Sequence, residues 1–181
     1  MGTRSTSILL VESDDEVADM IIDHIERRMR ARVTRVATAT EALSSNMVQP
    51  HDVVLADTSL PDCSDLGLAR ELRGTTDSEV ILITGNPTLG RAIEAMRLGV
   101  RDMFTKPFDL SRLSEAVERA AEARHQRQRE RLRCERLRRV TSRILRERRS
   151  MRQRVDLVCR DLVGAYRRLA EKVVTRRDVA D

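Results

Sequence analysis

Along the first two thirds of the chain, short unbroken apolar runs alternate with stretches in which apolar residues recur three and four apart. Residues 8–11 form such a run, and a continuous run bounded by polar residues predicts a strand buried on both faces. Val17, Met20, Ile21 and Ile25 follow at helical spacing. Residues 33–37 read as a second strand, with a short helix around 41–45 behind it. Residues 52–56 read as a third, followed by a loop with Pro61 and a helix through Leu66, Ala69 and Leu72 that stops at Gly74. Residues 80–84 are a fourth strand, backed by a helix through Ile93, Ala95 and Met96 that ends at Gly99. Residues 102–105 are a fifth, after which Pro107 turns the chain into a helix with Asp109 at its N-cap. Five strand–helix repeats predict an α/β fold in which a parallel sheet is wrapped by helices on both faces.

Beyond Pro107 the rhythm changes. No further proline occurs and Gly164 is the only glycine, so nothing obliges the chain to leave the helical state. Leu137, Val140, Ile144 and Met151, then Val155, Val158, Leu162, Ala165, Leu169 and Val173, fall mostly three and four apart. They predict a coiled-coil seam with a slip between Met151 and Val155. From 124 to 131 the pattern lapses into polar residues, and the helix is expected to fray or hinge there. Unbroken from 110 to 174 it would be roughly 100 Å long. Such a rod cannot bury its own stripe, so a homodimer through residues 132–174 is expected.

Charge divides the chain at the same place. Residues 1–120 hold 14 Lys+Arg against 20 Asp+Glu, and residues 121–181 hold 20 against 9, so net charges of −6 and +11 make up the total of +5. Two regions follow: a globular domain over 1–121 and an Arg-rich helical extension over 122–181. Aromatic residues at 2% leave little to stack on nucleic-acid bases. Cys63, Cys134 and Cys159 are odd in number and lack metal-ligand spacing, which argues against a disulfide framework or a zinc site. His24, His51 and His125 are scattered singly and read as structural or exposed. No apolar run reaches the roughly 18–20 residues of a membrane span and none resembles a secretion signal. A reduced, cytoplasmic setting without membrane contact is expected.

In open α/β sheets the chemistry sits beyond the carboxyl ends of the strands. Here the first strand leads into Glu12, Ser13 and Asp14, the third ends at Asp57, the fourth at Thr84, and the fifth leads into Lys106, one of only two lysines. With the segments ILLVES, VVLADTSLPD, ILITG and TKPF in order over about residues 6–121, the chain resembles the receiver domains of two-component response regulators. The resemblance implies a flavodoxin-like doubly wound sheet of order 2-1-3-4-5. It also implies that Asp57 is phosphorylated, taking phosphoryl from a sensor histidine kinase or a phosphotransfer protein. Mg²⁺ would be held by Glu12, Asp57 and the Ser59 carbonyl, with Asp14 as a further candidate ligand. Lys106 would neutralise the phosphoryl oxygens and Thr84 would donate its hydroxyl to them, so that Asp57, Lys106 and Thr84 form the catalytic set. Such a protein is no enzyme beyond its own phosphoryl uptake and loss.

Two positions depart from that family's pattern. Receivers place a second acid where Ser13 stands, and an aromatic residue where Met103 stands as the switch partner of Thr84. With Ser13 there, a pseudo-receiver that binds no Mg²⁺ and acts only through its surfaces is the alternative reading. A nucleic-acid-binding regulator using the basic helix is another, less favoured because no helix-turn-helix spacing or zinc motif is present.

Overall fold

The computed structural model describes residues 5–63 and 65–177, of which 167–177 are described by their backbone alone. Strands and helices alternate as β1 (Thr6–Val11), α1 (Asp15–Arg28), β2 (Ala31–Val36), α2 (Ala39–Val48), β3 (Val53–Asp57), α3 (Gly67–Leu72), β4 (Glu79–Thr84), α4 (Leu89–Leu98), β5 (Asp102–Thr105) and α5 (Leu110–Arg177). All strand pairs are parallel, in the order β2-β1-β3-β4-β5. The doubly wound sheet expected from the apolar runs is therefore present.

Its centre is buried on both sides, and side chains alternate between two cores as the strand period of two requires. Ile8, Leu10, Val53, Leu55, Ile81 and Ile83 meet α1 and the start of α5 on one face. On the other face Leu9, Val11, Val54, Ala56, Val80 and Leu82 meet α2, α3 and α4. The sheet's boundaries run beyond the apolar runs. β1 begins at Thr6 because Thr6 and Ser7 pair with Ala31 and Arg32 of β2, an edge strand only half buried. α2 is longer than expected, ending with Met47 and Val48 exposed.

Caps set the helix ends. Thr38 and Thr88 cap α2 and α4 through their side chains. α4 stops at Gly99, whose φ of 81° lies in the left-handed region and whose amide donates to the Met96 carbonyl at 3.0 Å, while Val100 N donates to Ala95 at 3.0 Å. A Cβ at Gly99 would meet no atom within 4 Å, so Gly99→Ala carries a purely backbone penalty. It is expected to cost about 1 kcal/mol, read as a lower urea midpoint with an unchanged m-value.

The chain divides into two compact units, Met1–Arg129 and Glu130–Asp181. The first runs past residue 121 because α5 keeps hold of the N-terminal edge of the sheet. Arg124 reaches Asp77 at 3.9 Å, His125 Nε2 lies 3.2 Å from Asp52 Oδ2, and Arg127 pairs with Glu79. The helix is unbroken through 124–131, where a fray or hinge was expected, and these polar contacts supply what the apolar pattern lacks there. In the second unit every side chain from 131 to 163 is exposed, the seam residues included. Leu169 and Val173 of the seam lie outside the described side chains. No described helix is long and apolar enough to cross a membrane.

His51 belongs to the same edge. Its backbone is fixed by Asn46 Oδ1, which accepts from His51 N at 3.2 Å, and by Ser78 Oγ, which donates to His51 O at 2.6 Å. Burial pushes the imidazole below its ordinary pKa, opposed only in part by the Asp52 carboxylate. A base with a depressed folded pKa binds fewer protons folded than unfolded. Its contribution is therefore intact above the unfolded value of 6.5 and declines as pH falls below it. His51→Gln is expected to flatten the fall in stability from neutral to mildly acidic pH, measured by urea unfolding across that range.

Candidate functional site

The C-terminal ends of the strands gather one acid, one acid, one hydroxyl and one ammonium. Glu12 directly follows β1 and is 1% exposed, while Asp57 ends β3 and is 7% exposed. Thr84 ends β4 and is buried. Lys106 directly follows β5, and its amide donates to the Thr84 carbonyl at 2.8 Å, which seats the turn. From there Lys106 Nζ donates to Glu12 Oε2 at 2.8 Å and to Asp57 Oδ2 at 2.7 Å. Desolvation alone would lower the lysine's pKa, but the hydrogen bonds and charges of Asp57 and Glu12 outweigh it and the net shift is upward. One ammonium thus balances two buried carboxylates.

Each carboxylate keeps acceptor capacity. Glu12 Oε1 accepts from Asp14 N at 3.1 Å and Asp57 Oδ1 from Ser59 N at 3.0 Å, and an ionised oxygen has room for more than one partner. Two carboxylates held close together fit Mg²⁺, which keeps several waters and takes few protein oxygens. Among the described residues no three His, Cys, Asp or Glu side chains form an all-protein cage. Any ion here would complete its shell with water and phosphate oxygens.

Asp14 is placed differently from expectation. Its Oδ1 accepts from Glu16 N at 2.9 Å and Val17 N at 3.1 Å, so its carboxylate caps α1 and only its backbone amide reaches Glu12. Ser13 is exposed. The loop is pinned by Arg35, which the sequence did not single out. Its Nε and Nη2 both donate to Glu12 O at 3.2 Å, Nη2 donates to Ser13 O at 3.4 Å, and the guanidinium pairs with Asp15. An arginine at the end of a strand neighbouring an acidic turn was the available signal. Asp62, part of the VVLADTSLPD segment, also turns away from the site. Its oxygens accept from Ala39 N and Thr40 N at 2.9 Å, and these amides hold its carboxyl below the usual pKa.

Thr84 Oγ1 accepts from Asn86 N at 3.2 Å, which still leaves a hydroxyl hydrogen to donate. Met103 is half buried against the core shared with α3 and α4, whereas Phe104 packs on the opposite face with Phe108, rings 6.5 Å apart and edge-on. Neighbouring strand residues face opposite ways, so Phe104 cannot supply the aromatic ring that Met103 lacks.

The model of the response regulator receiver domain matches residues 8–118. Among curated proteins, the transcriptional regulatory protein FlgR of Helicobacter pylori is 33% identical over 112 residues, which is 62% of this chain and 29% of that protein. The transcriptional regulatory protein KdpE of Staphylococcus aureus is 32% identical over 108 residues, 60% of this chain and 46% of that one. The chain thus spans less than half the length of either relative. Of solved structures, a CheY-like receiver domain protein from Methanospirillum hungatei superimposes with a TM-score of 0.64 at 22% identity, covering 68% of this chain and 99% of its own. A receiver domain protein from Clostridium thermocellum gives 0.61 at 27% identity, covering 67% and 98%.

Proposed function

Because the chain belongs to the response regulator receiver family of two-component systems, we propose that Asp57 is its phosphoacceptor, supplied by a sensor histidine kinase or a phosphotransfer protein. The observation that carries this reading is Lys106 Nζ bridging Glu12 and Asp57 at 2.8 and 2.7 Å at the tip of the central strand. An Asp57 oxygen attacks phosphorus, the new O–P bond forms, and the bond to the donor breaks with its electron pair leaving on the donor. A carboxylate can do this only if the negative charge around it is offset, and Lys106 offers a point charge at the right place. Bound Mg²⁺, held by Glu12, Asp57 and the Ser59 carbonyl, would neutralise charge on the phosphoryl oxygens. The protein's only catalysis is then its own phosphoryl uptake and loss.

The new dianion at Asp57 draws in the Thr84 hydroxyl, and Met103 follows into the space vacated. Methionine fills gaps without a single favoured rotamer, so this readout is more graded than one made by an aromatic ring. The face formed by α4, β5 and α5 changes as a result, and α5 is the element that continues into the Arg-rich extension. The exposed apolar seam supports a homodimer through residues 132–174, and the reading as a whole suits a cytoplasmic signalling protein.

One observation favours a second reading. With Asp14 spent on capping α1, Glu12 is the single carboxylate that the first strand offers, as in a pseudo-receiver that binds no Mg²⁺. Intact mass after incubation with acetyl phosphate and Mg²⁺ separates the two. One added phosphoryl group, lost in Asp57→Ala, supports the phosphoacceptor; no adduct under any Mg²⁺ concentration supports the pseudo-receiver.

A further inference from the structure

The second unit carries charge that the phosphoryl chemistry does not use. From Arg129, the last residue of the first unit, through residue 154 of the second, twelve arginines stand against three acids, Glu130, Glu135 and Glu147, a net charge of +9. Side chains from 131 to 154 are all exposed. Arg139 pairs with Glu135 at 3.6 Å, but three acids cannot neutralise twelve guanidinium groups. At 3.6 residues per turn, Leu137, Val140, Ile144 and Met151 share one side of α5, and Arg138, Arg146 and Arg149 fall on the opposite half. A second copy closing the apolar seam would leave those arginines facing outward. The segment rises about 39 Å, giving roughly one net positive charge per 4 Å of helix.

We propose that this outward arginine face binds the phosphate backbone of double-stranded nucleic acid without reading its sequence. A duplex presents one phosphate per about 1.7 Å, and its condensed counterions are released when guanidinium groups replace them. Arginine's planar fork matches phosphate geometry, and the segment holds arginine and no lysine. The aliphatic seam lies on the other side and offers no base edge a partner. A lipid surface fits less well, because Tyr166 is the only aromatic residue beyond position 129 and no Trp or Phe is there to sit at a bilayer interface. This binding does not depend on phosphorylation of Asp57.

Anisotropy of two unrelated labelled duplexes of about 30 base pairs, titrated with the full chain between about 50 and 200 mM salt, tests it. Both duplexes should bind equally, with log K falling linearly against log salt. The combined variant R138Q/R146Q/R149Q should bind at least about tenfold more weakly with a shallower salt slope. Its helical circular dichroism and its phosphoryl uptake from acetyl phosphate should match the parent, and the corresponding Lys variant should retain most of the binding. Unchanged binding by the Gln variant overturns the proposal. So does equal binding to poly-glutamate or phosphatidylserine vesicles, which would reveal bulk charge or a membrane preference.

Discussion

Lys106→Met is expected to lower the stability of the first unit by about 3 kcal/mol when divalent cations are absent. The substitution keeps most of the side-chain volume and removes the one cation between Glu12, 1% exposed, and Asp57, 7% exposed. Two buried carboxylates would then face each other uncompensated. Millimolar Mg²⁺ should restore part of the loss in Lys106→Met and stabilise the parent less, since the parent already holds an ammonium there. Urea unfolding with and without Mg²⁺ reads both effects. A change smaller than about 0.5 kcal/mol, the range of ordinary surface substitutions, would mean that Lys106 does not neutralise the pair. Because its pKa is raised on folding, the lysine's contribution is complete below the unfolded value of 10.5 and disappears as pH climbs through the folded one.

Leu55→Ala should cost about the same, roughly 2–5 kcal/mol, for a different reason. Leu55 is fully buried in β3, paired in register with Leu10 on one side and Ile81 on the other. Truncation leaves a cavity that neither neighbouring strand can fill without shifting the strand that presents Asp57. The Lys106 and Leu55 variants should therefore differ in one respect: Mg²⁺ rescues the first and leaves the second where it was. A Leu55→Ala loss below about 1 kcal/mol would indicate a loosely packed sheet centre.

The architecture was legible because burial on both faces writes a strand as an uninterrupted apolar run, as in 8–11 and 80–84. Where a strand lies at an edge or starts with polar residues that signal fades, which is why the ladder begins at Thr6 and Ala31 rather than at 8 and 33. Glu12, Asp57, Thr84 and Lys106 were readable as strand-end residues, and the structure brings Glu12, Asp57 and Lys106 into direct contact. What could not be read were allegiances. Asp14 sits one residue from a metal-site position and one from a helix start, and only the φ, ψ of the loop decides for the cap. His125 and Arg127 find partners on elements more than 40 residues distant, a distance at which no local pattern carries information.

The tethering of α5 to the sheet's far edge bears on where this chain can be cut. Asp52, 5% exposed, faces the imidazole of His125, and Glu79, 6% exposed, pairs with Arg127. Excision at residue 121, where the apolar core is already complete, would strip Glu79 of its arginine and leave Asp52 only the Ser7 amide at 3.0 Å, yielding a fragment poorer in stability than the domain it was meant to isolate. A cut after Arg129 keeps the mooring and is the natural end of a self-sufficient receiver in this chain.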